Sequence, residues 1–125
     1  MSQFISKGVT GAIASAFVLS TPVSAFAFDT LAAEKLARQN GCFKCHAIEK
    51  YKDGPAYRDI AAKYKGKDQS ETIRKLIFHI TSGEKAKFPD GHEEEHKIIK
   101  TKDIGQQTNI IEWILSLPGG KWSED

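Results

Sequence analysis

Cys42, Phe43, Lys44, Cys45 and His46 place two thiols three residues apart with an imidazole directly after the second. Thiols at that spacing reach the two vinyl groups on one edge of a porphyrin and form thioether bonds. The adjoining histidine then falls under the ring, where its nitrogen binds iron. C-x-x-C-H is for this reason the attachment signature of c-type haem. Cys42 and Cys45 are the only cysteines of the 125-residue chain. None is left for a structural disulfide or a four-ligand zinc site, and a thioredoxin-like redox pair has no use for the adjacent histidine.

The N-terminus points to the compartment where such chemistry is done. Residues 1–27 read as a secretory signal peptide: Lys7 gives a positive start, Val9 to Leu19 an apolar stretch, and Pro22 a break. Ala25-Phe26-Ala27 then supplies an A-x-A cleavage site. The apolar run is shorter than the roughly 20 residues needed to span a bilayer, so no membrane insertion is expected once the signal is removed. Residues 28–125 are then expected to form one monohaem domain, exported to the periplasm. At 98 residues its own core is marginal, and one covalently attached haem c would supply a large apolar filler. The chain has 18 basic and 16 acidic side chains. That near-balance excludes a nucleic-acid protein on charge grounds.

The elements that must hold the motif read as helices and loops, with no convincing strand pair. Asp29 or Thr30 caps a first helix running to about Asn40, and Gly41 is a natural left-handed stop. Ala33, Leu36 and Ala37 form its inner face. A loop through Gly54-Pro55 leads to a short helix from Ala56 to about Tyr64. Asp68 with Glu71 has the capping-box spacing and opens a helix carrying Ile73, Leu76, Ile77 and Ile80 at helical intervals. Gly83 ends it. Residues 84–102 read as polar and irregular. Asp103 caps a last helix with Ile104, Ile111, Ile114 and Leu115 on one stripe and Trp113 beside Leu117, closed by Pro118.

The run Gly41-Cys42-Phe43-Lys44-Cys45-His46-Ala47-Ile48, followed by Gly54-Pro55-Ala56-Tyr57-Arg58-Asp59-Ile60-Ala61-Ala62-Lys63-Tyr64, resembles class I cytochrome c. Within that class it is similar to the small bacterial electron-transfer cytochromes of the c-551 type. Residues 110–117 resemble that family's C-terminal helix. The resemblance implies an all-α fold in which the N- and C-terminal helices cross around one haem with an exposed edge. It also implies that the Pro55 carbonyl accepts the N–H of His46, the proximal iron ligand, and so orients it.

The chain departs from the family at the sixth iron position. That family uses a methionine in the loop before the last helix, but the single methionine here is Met1, which leaves with the signal peptide. Counting back from Trp113, the family's methionine falls nearest His96 and Lys97. Counting forward from Gly83, it falls nearer His92. The forward count crosses the segment whose length differs, so His96 is the first choice of distal ligand and His92 the second. His79, Lys97 or an open iron stand behind them. His92-Glu93-Glu94-Glu95-His96 also spells the zinc-protease pattern H-E-x-x-H, but a charged stretch after Pro89-Asp90-Gly91 is no buried helix.

The expectation is a soluble periplasmic electron carrier, not an enzyme, with bis-histidine iron. Its partners would be redox proteins met transiently, among them membrane or multihaem oxidoreductases. Lys44, Lys50, Lys52, Lys85 and Lys87 could ring the haem edge and steer acidic partners. The alternative is a gas-binding haem protein for O2, NO or CO with an open or displaceable sixth ligand.

Overall fold

The computed structural model describes residues 8, 11–20 and 28–118. Most of the expected signal peptide, including its cleavage site, lies outside the described residues. Residues 11–20 form no regular element, and Ile13, Phe17, Val18 and Leu19 are exposed. No helix of the described residues is long and apolar enough to cross a membrane.

Among the described residues four α-helices follow in order: α1 (Thr30–Gln39), α2 (Tyr57–Tyr64), α3 (Gln69–Thr81) and α4 (Ile104–Ser116). Three start on an aspartate whose carboxylate accepts an N–H that the first turn leaves unpaired. Asp29 takes it from Ala32, Asp68 from Glu71 and Asp103 from Gln106. Gly41 stops α1 with φ at 67°, and Gly83 follows α3 with φ at 69°. At those angles a Cβ would crowd the backbone, so glycine is the natural occupant.

Helix α4 is the hub, packing against α1, α2 and α3. Its Ile110, Ile111, Trp113 and Ile114 join Ala33 and Ala37 of α1, Tyr57 of α2 and Ile99 in one buried cluster. Ala33 and Ala37, one turn apart and fully buried, keep the α1 surface low enough for close crossing. Ile104, expected on the buried stripe, is exposed. It occupies the first turn of α4, and one turn later Gln107 is buried with its amide bonded to the Thr101 carbonyl.

The segment after α3 is not wholly irregular. β1 (Lys85–Lys87) pairs antiparallel with β2 (Glu93–Glu95), setting Lys85 opposite Glu95 and Lys87 opposite Glu93. Opposite charges facing across strands favour that register. Gly91, at φ 90°, turns the chain between them and donates its N–H to the Phe88 carbonyl. Alternation of apolar and polar residues, the usual strand signal, is missing here, so the hairpin could not be read from the pattern.

Candidate functional site

Gly41 ends α1 and starts a single 3-10 turn, Cys42–Lys44. The Cys42 carbonyl accepts N–H bonds from both Cys45 and His46, at 3.2 and 3.0 Å. Both thiols are free, Cys42 half-buried and Cys45 exposed. Burial pushes the Cys42 thiol up, while its hydrogen bond with Tyr57 pulls the other way. Burial likewise raises the Tyr57 phenol.

His46 is fixed from several directions. Its Nδ1–H donates to the Pro55 carbonyl at 2.7 Å, which leaves Nε2 with a free lone pair. Its ring stacks on Tyr57 with centroids 5.2 Å apart, and Tyr57 meets Trp113 edge-on at 5.7 Å. The chain from Ala47 to Pro55 doubles back to make this possible: Gly54 N–H bonds to Cys45, Tyr57 to Ala47 and Arg58 to Ile48. Gly54 has a steric role that its place in the sequence did not disclose. A Cβ there would lie 2.6 Å from His46 Cε1.

His96 faces His46, with ring centroids 6.3 Å apart and planes at 45°. With a metal–imidazole bond of about 2.0–2.1 Å and about 1.1 Å more to each ring centre, two imidazoles on opposite sides of one metal would have centres about 6 Å apart. Burial lowers the pKa of both histidines, before any other cause. That favours the neutral form a metal requires. Ile48, Ile60, Ile73, Leu76, Ile77 and Ile80 pack against the core while remaining only partly buried. Two free thiols, two facing imidazoles and apolar side chains left part-exposed for further cover fit a covalently attached haem.

The segment carrying His96 is tied down at three points. His96 N–H bonds to the Glu84 carbonyl at 2.9 Å, and Ile99 N–H to the Ile80 carbonyl at 2.9 Å. Lys100 N–H bonds to the Asn40 side-chain oxygen at 2.8 Å. Asn40 is buried, and its amide also donates to the Leu36 carbonyl. One side chain thus joins the end of α1 to the segment that follows His96, a link 60 residues apart that no local pattern could reveal.

The other candidates are placed differently. His92 sits in the hairpin turn, stacked on Phe88 at 4.3 Å, and turns its two ring nitrogens to Asp90 and Glu94. Those contacts occupy both nitrogens. Lys97 brings its ammonium against Gly41. His79, on the last turn of α3, packs against His96 with centroids 4.3 Å apart and bonds through Nδ1 to Glu84. Of the expected ring of lysines, Lys52 bonds to the Phe43 carbonyl, and Lys85 and Lys87 stand opposite glutamates.

The chain is similar to known proteins over most of residues 28–118. The cytochrome c family model matches residues 31–118. Cytochrome c-551 of Allochromatium vinosum is 31% identical over 82 residues, which covers 66% of this chain and 82% of that protein. Cytochrome c-552 of Hydrogenobacter thermophilus is 53% identical over 38 residues, 30% of this chain and 39% of that relative's length. Among solved structures, the class 1 cytochrome MtoD of Sideroxydans lithotrophicus ES-1 is 56% identical with a TM-score of 0.68, covering 73% of this chain and 98% of that one. Wild-type cytochrome c552 of Nitrosomonas europaea is 30% identical with a TM-score of 0.54, over 68% and 99%. The family carries one covalently bound haem c, and Cys42 and Cys45 stand in its attachment motif. The helices crossing on α4, the thiol pair on its tight turn and the match over most of the domain make this chain a member of the cytochrome c family, a class I c-type cytochrome of the c-551 kind.

Proposed function

We propose that residues 28–125 act in the periplasm as a monohaem electron carrier whose iron is held between His46 and His96. The observation that carries this reading is the opposed imidazole pair, 6.3 Å apart, in a chain whose one methionine is Met1. Export follows from the signal-like character of residues 1–27. The bound haem supplies one-electron chemistry between ferrous and ferric iron. Cys42 and Cys45 anchor it, and Pro55 fixes the tautomer and direction of His46. The segment from His96 to Lys100, bonded to Glu84, Ile80 and Asn40, holds the backbone that carries the distal imidazole. Because these groups are held before and after transfer, little reorganises. Redox proteins are the partners, met transiently.

A methionine ligand raises the potential of cytochromes c, so an imidazole in its place gives a lower potential than in His/Met relatives. Glu93, Glu94 and Glu95, next to His96, favour the ferric state in the same direction. With His96 facing His46, the gas-binding alternative has no support.

The test combines mass spectrometry and electron paramagnetic resonance on protein matured in the periplasm. One haem added to Phe28–Asp125 and a low-spin ferric signal are expected, with no sulfur-to-iron absorption band. His96→Ala should turn the iron high-spin, while His92→Ala leaves it unchanged. A His96→Ala protein that stays low-spin with unchanged g-values overturns the ligand assignment.

A further inference from the structure

Glu84 and His96 stand one residue outside the two ends of the hairpin, so their backbone bond of 2.9 Å adds a rung beyond the Lys85–Glu95 pair. The side chain of the same Glu84 turns to α3 and accepts from His79 Nδ1. The His79 ring in turn packs on the His96 ring at 4.3 Å, with planes at 47°. The contacts therefore close a circuit: Glu84 carboxylate, His79 ring, His96 ring, His96 N–H, Glu84 carbonyl.

This circuit acts on a freedom that the rest of the site leaves loose. The second side-chain torsion of histidine is broad and roughly two-fold, so fixing the backbone of His96 does not fix the plane of its ring. The bond from its Nδ1 to the carbonyl of the next residue, Lys97 (3.0 Å), moves with the segment itself. His79 is different, because it stands on a separate helix and is itself oriented by a carboxylate. Partners of this kind around a metal-binding histidine fix ring orientation.

We propose that His79, held by Glu84, is a positioning residue that sets the plane of the His96 imidazole against that of His46. The proposal rests on reading His96 as the sixth ligand. The angle between two axial imidazole planes controls how the iron d orbitals split, so it is read directly in the g-values of the low-spin ferric state. A contact that merely supported the fold would move the melting temperature and leave those values alone. The circuit also resists rotation of His96 off the iron, which slows entry of an external ligand.

The test uses full holoprotein carrying His79→Ala, His79→Phe or Glu84→Gln, with ferric g-values and the rate of cyanide binding as readouts. His79→Ala is expected to stay low-spin, to shift its largest g-value, and to bind cyanide about 10-fold faster, the lower end of outer-shell effects on metal sites. His79→Phe restores a flat ring against His96 and should return both readouts most of the way to wild type. Glu84→Gln keeps the backbone rung and should move both in the same sense as His79→Ala, and it stands in for that variant if His79→Ala does not mature. Unchanged g-values and cyanide rate in His79→Ala overturn the proposal, as does a His79→Phe shift equal to that of His79→Ala. A high-spin His79→Ala protein overturns instead the assignment of His96, since His79 would then hold the iron.

Discussion

Replacing Gly54 by alanine tests how tightly His46, the proposed proximal ligand, is held. The new methyl carbon would stand 2.6 Å from His46 Cε1, 3.0 Å from Nδ1 and 3.2 Å from Nε2. Non-bonded carbons prefer about 3.5–4.0 Å, so the ring must retreat by about 1 Å. It cannot do so freely. Pro55 holds Nδ1 at 2.7 Å, and Tyr57 closes one face, itself backed by Trp113. Overpacking costs about 1–3 kcal/mol, and a strained or broken bond to Pro55 adds about 1 kcal/mol. At about 4–8 °C per kcal/mol for a domain of this size, the melting temperature should fall by about 10–30 °C. On the proposed ligation the displaced ring is the one that holds the iron, so the ferric g-values should shift as well. Gly66→Ala is the control: its φ is 76° with open space around it, so it suffers backbone strain of about 1–2 kcal/mol and should leave the spectrum alone. A Gly54→Ala protein with wild-type melting and wild-type g-values would refute the steric argument.

Asn40→Ala removes the acceptor for Lys100 N–H and the donor to Leu36. Leaving buried groups unpaired costs about 1–3 kcal/mol, to be seen in chemical denaturation, and an unchanged unfolding free energy would contradict the staple. Asp90, ahead of all other causes, raises the His92 pKa above its usual 6.5. The folded value exceeds the unfolded one, so this stabilisation is fully present below pH 6.5 and is lost as pH rises through the raised value. Proton NMR of the reduced protein should place the His92 midpoint above 6.5 and show it falling in Asp90→Asn, and a midpoint that ignores Asp90→Asn rejects the pairing.

The attachment motif, three of the helix caps and the glycine stops were all legible in the sequence because each is a local event. Thiols three residues apart have a fixed reach. An aspartate accepts an N–H three residues ahead, and a glycine bends the chain at its own bond. The apolar spacing of α3 and α4 belongs to the same class, although Ile104 shows that a periodic stripe does not say where its neighbour's surface ends. The missing methionine narrowed the sixth ligand to a few side chains, again by inspection of the sequence alone.

Tertiary structure decided what distance along the chain conceals. His92 and His96 are four residues apart in one charged stretch, and only the hairpin turns the first to Asp90 and Glu94 and the second to His46. The hairpin escaped the sequence because charge pairing between Lys85, Lys87 and Glu93, Glu95 sets its register, with no buried face to write an alternating pattern. Asn40, Gly54 and Glu84 were equally silent, and His79 stood only among the lesser candidates for the sixth ligand. An amide before a glycine, a glycine before a proline and a histidine near a helix end each have many ordinary uses. They acquired these roles through contacts that folding creates, between residues up to 60 positions apart, and the energy of such contacts depends on separations in space that residue order does not encode.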